Sequence, residues 1–199
     1  MKRLNWIFAV LFFAAAAPVS AANNINIFFG QKDLDSSDWG PNTYLGYGLA
    51  LDQQDEFGIL MDFSGYYWPV SIAVDLLGSS HQVNAYDSYA GYGTTTATTS
   101  ELDFGVRKVF DIYGTDLHPY VGGGLALITG TIEDDYYYAY GSDEDSGLGY
   151  WLNGGIYWSI AGHFNIGVDV RYSEADVTLY EQTVNAGGTH GGVIFGYRW

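Results

Sequence analysis

The feature that most constrains this chain is a period-two alternation, repeated in segments of about ten residues. The clearest is FNIGVDVRYS, residues 164–173, where Phe164, Ile166, Val168, Val170 and Tyr172 share one phase. Asn165, Gly167, Asp169, Arg171 and Ser173 share the other. Successive side chains of a strand point to opposite faces, so this segment has one apolar and one polar face. The final residues, GGVIFGYRW, repeat the pattern with Val193, Phe195, Tyr197 and Trp199 against Gly192, Ile194, Gly196 and Arg198. A soluble domain rarely places its largest aromatic side chains at a terminus, where chains fray. The pattern predicts an apolar environment outside the protein.

Four more segments follow the same rule. GLGYWLNGGIYWSI (147–160) puts Leu148, Tyr150, Leu152, Ile156, Trp158 and Ile160 on one face. HPYVGGGLALITGTI (118–132) sets Val121, Leu125 and Leu127 against Gly122, Gly124 and Ala126. ELDFGVRKVF (101–110) sets Leu102, Phe104 and Val106 against Asp103, Gly105 and Arg107. VSIAVDLLG (70–78) sets Val70, Ile72, Val74 and Leu76 against Ser71, Ala73 and Asp75. Three further candidates lie nearer the N-terminus: 24–32, 43–51 and 57–63. Bacterial single-chain membrane barrels have an even number of strands. The reading is therefore eight, with 43–51 extending a surface loop or replacing its neighbour, or ten if Tyr86–Thr99 adds one.

Strong helix formers are scarce beyond the first residues, and no later stretch repeats apolar residues at three and four. A bilayer strips the backbone of water, so every N–H and C=O in it must be paired internally, which leaves helices and closed barrels. The sequence thus predicts an all-β fold, a single closed antiparallel transmembrane β-barrel.

Residues 1–22 read as a secretory signal peptide: Lys2 and Arg3, an apolar run from Trp6 to Ala17, then small residues around Ser20, Ala21 and Ala22. That run is shorter than the roughly 20 residues a spanning helix needs. The barrel domain is assigned to 23–199. It holds all 23 acidic residues but only Lys32, Arg107, Lys108, Arg171 and Arg198, a net charge of about −18. Such a polyanion repels phosphate backbones, which excludes nucleic acid as a partner. Cysteine is absent, so no disulfide or thiol chemistry enters.

The polar pieces NAYDSYAGYGTTTATTS, EDDYYYAYGSDEDSG and DVTLYEQTVNAGG are predicted to be long outer loops, and DIYGTDL and AGH short inner turns. Arg107, Arg171 and Arg198 share the inward phase with Asp62, Asp75, Asp103 and Asp169. An arginine on the lipid face costs about 2–4 kcal/mol at midplane, so the phase marks the lumen. Eight strands leave only enough room for side chains, and these seven residues are predicted to form a structural ion-pair network. A proton or ion path is the functional alternative. A soluble lipocalin-type barrel would invert the two faces.

At this point PYVGGGLAL, GGIYWSI with FNIGVDVRYS, and the aromatic terminal strand resemble the small OmpA/OmpX-type outer-membrane β-barrel proteins, over about residues 24–199. WPVSIAVDLL and GGTHGGVIFGYRW resemble an exported subgroup of them. The resemblance implies an eight-stranded barrel in the outer membrane, in contact with its lipid and lipopolysaccharide. It also implies insertion by the outer-membrane assembly machinery through the terminal strand of Phe195, Tyr197 and Trp199. Most such chains end in Phe, so Trp199 departs from the pattern. The resemblance carries over no common catalytic residue.

Other chemistry finds little support in the residues. The His-x-Ser-Asn motif of lipid A deacylases meets Val83 at the serine position of HQVN (81–84), and His81 with Asp87 and Ser88 only loosely imitates an acyl-transfer set. His81, His118, His163 and His190 lack metal-ligand spacing; His118 and His163 read as turn residues of the inner rim. YVGGGLAL has Leu127 where a dinucleotide loop needs its third glycine. SDEDSG (142–147) lacks the ligand alternation of an EF-hand, leaving a loose divalent bridge to lipopolysaccharide phosphates as a separate idea. No catalytic, cofactor or metal residue is assigned. The sequence reads as a monomeric outer-membrane barrel with a structural or surface-interaction role, with a lipid A-modifying enzyme or a narrow solute channel as alternatives. The tyrosines of DDYYYAYG (134–141) are divided between an interfacial girdle and contact surface.

Overall fold

The computed structural model describes residues 23–40, 49–87 and 91–199. Eight antiparallel strands close into a barrel: β1 (Asn24–Asp33), β2 (Gln53–Phe63), β3 (Ser71–Asp87), β4 (Gly91–Val109), β5 (Leu117–Tyr136), β6 (Ala139–Ile160), β7 (Phe164–Glu174) and β10 (Gly188–Arg198). Neighbours in sequence are neighbours in space, and β10 closes the circle on β1. Closure leaves no unpaired sheet edge at the seam, as a bilayer requires. A one-turn helix, α1 (Ser36–Trp39), follows β1, and a separate hairpin, β8 (Asp176–Leu179) with β9 (Gln182–Asn185), sits between β7 and β10.

The alternation resolves into two environments. On β7, Phe164, Ile166, Val168, Val170 and Tyr172 lie on the outer surface, while Asn165, Asp169, Arg171 and Ser173 are buried. The same holds for Phe104, Val106, Val121, Leu125, Leu152, Trp158, Val193 and Phe195, which form a belt of exposed apolar side chains around the barrel. A belt of this size in contact with water would be a severe aggregation liability, whereas against lipid tails it carries no such cost.

The strands are unequal. β1, β2, β7 and β10 have 10 or 11 residues, while β3 to β6 have 17, 19, 20 and 22. The four long strands rise together above the belt at the end opposite Asn24 and Arg198, by about 15–30 Å for six to eleven extra tilted residues. This corrects two loop assignments. NAYDSYAGYGTTTATTS falls mostly in β3 and β4, and EDDYYYAYGSDEDSG runs from β5 to β6 through only Tyr137 and Tyr138. Threonine and tyrosine favour strands, but above the membrane no lipid face remains to make the alternation visible as hydropathy. DVTLYEQTVNAGG contains the β8–β9 hairpin rather than a plain loop. The Tyr86–Thr99 stretch continues β3 and opens β4, so it adds no barrel strand. Of the 43–51 candidate, 43–48 lie outside the described residues, and 49–51 are not strand.

Candidate functional site

The inward phase of the strands fills the lumen in layers. At the end nearest the termini, the Asn165 side chain donates to Asn24 and Asn26 and accepts from Ser159. The next layer is ionic. Arg107 reaches Asp62 at 2.8 Å and Asp75 at 2.6 Å, and Arg171 reaches Asp75 at 2.5 Å and also bonds Asp103. Asp75 and Asp103 stand directly opposite each other in the β3–β4 register. Like charges in that position repel, so the Arg171 guanidinium between them is what lets the pair persist. Asp169 accepts from the Tyr120 hydroxyl at 2.7 Å and the Asn153 amide at 2.9 Å, with Arg171 3.9 Å away. The buried Trp151 ring stands against both guanidinium groups, at 5.6 Å from Arg107 and 5.1 Å from Arg171.

Six of the seven residues assigned to the ion-pair network thus meet in one layer, and the seventh does not. Arg198 lies at the rim near the termini, 3.8 Å from Asp111 and 3.2 Å from the His118 ring. Its phase is inward, but it follows the last inward layer, where the lumen meets solvent. His118, assigned to a turn, is a residue of β5 whose ring stacks on Tyr157, whereas His163 does occupy a turn.

A further polar layer was not singled out from the sequence. Lys32 donates to Thr99 at 3.0 Å and to Glu101 at 3.3 Å, and Ser173 donates to Glu101 at 2.9 Å. Ser173 Oγ lies 3.0 Å from His190 Nε2, and His190 Nδ1 lies 2.8 Å from Glu56. Ser173 already belongs to the inward phase of 164–173, and one more inward step from Asp103 and from Gly192 reaches Glu101 and His190. The order Ser173–His190–Glu56 matches the connectivity of an acyl-transfer triad. Yet all three side chains are sealed from solvent, and Ser173 also donates to a second carboxylate, Glu101. Among the described residues the lumen holds three cations, Lys32, Arg107 and Arg171, against six buried carboxylates, with hydroxyl and amide donors supplying the balance.

The far mouth is closed by an apolar plug. Val177, Leu179, Val184 and Ala186 of the hairpin segment pack with Trp39, Leu51, Ala97, Ile128 and Ile132. Gly130 on β5 makes room: a Cβ there would lie 3.3 Å from Val177 and 3.5 Å from Leu179. The plug is latched by polar bonds, with Lys32 donating to the Ala186 carbonyl at 2.9 Å and the Trp39 indole to Asn185 O at 2.7 Å. Asn185 N donates to Asp38 at 2.9 Å. On the β6 side, Asp145 accepts from Thr178 N at 2.7 Å and Asp143 from Tyr180 N at 2.6 Å. Two of the three acids of SDEDSG are therefore engaged with the hairpin, while Glu144 accepts from Thr131 of β5. The amides of Thr178 and Ser146 hold the Asp145 carboxyl below its usual range. Partial burial, then Asp134, pushes the Tyr180 hydroxyl up to about 12.

Above the plug, the tall wall exposes Tyr86, Tyr92, Tyr137, Tyr138 and Tyr140 amid the acids of 133–145. His81 lies on β3, but the Asp87 side chain and Ser88 lie outside the described residues, so that set has no geometry here. Among the described residues, no group of three or more His, Asp or Glu side chains could hold a metal ion.

Comparison with solved structures places this architecture. The structure of Ail, the attachment invasion locus protein of Yersinia pestis, matches with a TM-score of 0.58 at 11% identity, covering 91% of this chain and 100% of that one. OprG, an outer membrane protein from Pseudomonas aeruginosa, matches with a TM-score of 0.55 at 14% identity, covering 92% and 98%. Neisserial surface protein A matches with a TM-score of 0.50 at 12% identity, covering 89% and 94%. The fold is that of the small outer-membrane β-barrels. At these identities the likeness concerns the barrel, not its cargo or contacts. No protein-family model matches the chain, and no curated protein matches it by sequence.

Proposed function

We propose that this outer-membrane barrel is a sealed membrane anchor for an acidic, tyrosine-rich wall on the cell surface, with a structural or surface-interaction role. The observation that carries the reading is the pairing of a plugged lumen with four strands that rise far beyond the apolar belt. Strands longer than the bilayer requires have no use in holding the barrel in lipid. They present tyrosines, which give large contact area at low entropic cost, and carboxylates, which favour a cationic or hydroxyl-rich partner over a phosphate-rich one. The latched plug and the ion pairs beneath it argue for a packed lumen over a solute path, and the sealed Ser173 argues for a structural layer over an esterase. In this reading residues 1–22 are the export leader. Phe195, Tyr197 and Trp199 form the terminal strand that the assembly machinery engages, outer-leaflet lipid and lipopolysaccharide surround the belt, and the barrel is a monomer.

The test is an epitope inserted between Tyr137 and Tyr138 in the full chain, expressed in a Gram-negative host. The reading expects the protein in the outer-membrane fraction, a heat-dependent gel shift, and antibody access to the epitope on intact cells. Recovery in the soluble periplasm, or an epitope reachable only after lysis, would overturn it.

A further inference from the structure

Five basic residues follow residue 22, and the barrel treats them in two ways. Lys32, Arg107 and Arg171 are sealed in the lumen. The other two, Lys108 and Arg198, line one polar cavity of about 180 Å³ at the end where Asn23 pairs with Trp199. A chain this acidic therefore directs both of its solvent-reachable cations of the barrel domain to a single concavity. The only carboxylate in its lining is Asp111, 3.8 Å from Arg198.

Donor capacity remains free there. Lys108 Nζ donates to the Pro69 carbonyl at 2.6 Å and has two further protons. Arg198 uses Nη1 towards the His118 ring, and among the described residues no acceptor engages its Nε or Nη2. The buried Tyr157 hydroxyl, also in the lining, has no hydrogen-bond partner of normal length. Donors of Lys108, Arg198 and Tyr157 thus line one cavity whose only lining carboxylate, Asp111, already pairs with the His118 ring at 2.8 Å. The long-range field of the acidic wall does not cancel this, because charges more than about 8 Å apart are largely screened at physiological salt.

The depth of the cavity selects the acceptor. Trp68 forms part of its wall and is half exposed, and the preceding Tyr66 and Tyr67 stand fully out from the same turn. Aromatic residues of this kind sit at headgroup level. Lys108 itself is in the outward phase at the end of β4, one step beyond the apolar Val106.

We propose that this cavity binds the phosphate of an anionic phospholipid headgroup from the leaflet facing the periplasm, held by Lys108 and Arg198, with Trp68 against the glycerol. The proposal rests on the orientation given under the proposed function, with the termini towards the periplasm. Arginine and lysine both suit a phosphodiester, the first as a fork and the second as a point charge.

The test uses the full barrel folded in maltoside micelles, which contain no phosphate and need no bilayer, so its outcome is separable from cell-surface placement. Native mass spectrometry with dioleoylphosphatidylglycerol is expected to show one retained lipid. Lys108→Gln with Arg198→Gln is expected to reduce retention about tenfold, the equivalent of one charge-assisted hydrogen bond, with the heat-dependent gel shift unchanged. Lys108→Gln alone, at an exposed side chain, gives the same direction should the double variant fail to fold. Equal retention by wild type and both variants would overturn the proposal. A melting shift with millimolar inorganic phosphate and no retained lipid would overturn the headgroup assignment in favour of free phosphate.

Discussion

Replacing Arg171 with methionine tests the lumen at its most stressed point. Arg171 touches three carboxylates, but they depend on it unequally. Asp75 keeps Arg107 at 2.6 Å, and Asp169 keeps the Tyr120 hydroxyl and the Asn153 amide. Asp103 has no other ion pair among the described residues, and it faces Asp75 directly across the β3–β4 register. The substitution therefore strands one buried carboxylate next to another. Removing one partner of a buried pair costs about 3–5 kcal/mol, and loss of the stacking on Trp151 adds about 1 kcal/mol. Methionine retains much of the stem volume, so a cavity contributes little. Arg171→Met should then destabilise the barrel by about 4–6 kcal/mol in urea titrations in phospholipid vesicles, followed by tryptophan fluorescence and by gel mobility. Adding Asp103→Asn removes the stranded charge and should recover about 2 kcal/mol, a coupling that a double-mutant cycle isolates. A cost below about 1 kcal/mol, or no recovery on adding Asp103→Asn, would mean the lumen is wet enough to screen these charges, refuting the packed-core argument.

Three shorter predictions follow from other parts of the molecule. The β8–β9 turn places both Tyr180 and Glu181 in the left-handed region, at φ of 47° and 64°; Glu181→Gly should relieve about 1 kcal/mol of strain, read as slower protease cleavage of the hairpin. Val168→Arg, at the middle of β7 on the lipid face, should cost about 2–4 kcal/mol in the same vesicle titration. Because the Asp145 carboxyl is held below its unfolded value, its contribution is present above the ordinary carboxylate range and lost as pH falls through the lowered value. Amide exchange at Thr178, corrected for intrinsic rate, should therefore lose protection on acidification below about pH 4, and Asp145→Asn should show that loss already at neutral pH.

The belt was legible because each outward residue of 164–173 or 193–199 is large and apolar, and its neighbour, Ile194 aside, is glycine, polar or charged. Such contrast survives any uncertainty about partners. The tall wall was not, because above the membrane both faces of a strand can be polar. Thr94, Thr96 and Thr98 carry no hydropathy signal on their outer side, and on β3 and β4 the apolar inner side shows as little more than Ala97 and Val83. The plug was hidden for a related reason: Val177, Leu179 and Val184 alternate over only two four-residue strands. Phase tells which residues point inward, and Asp62, Asp75, Asp103, Arg107, Asp169 and Arg171 lie buried in the lumen. It could not tell height, which depends on register and tilt, so Arg198 was drawn into a layer it lies below. The same phase carried two residues further would have included Glu101 and His190.

The account depends on which face of the strands meets lipid. A nitroxide scanned through residues 164–173 in vesicles measures this directly, by collision with oxygen dissolved in lipid and with a water-soluble nickel reagent. The account predicts oxygen maxima at Phe164, Ile166, Val168, Val170 and Tyr172, with low access to both reagents between them. A flat profile, or oxygen maxima at Asn165, Asp169 and Arg171, would contradict it.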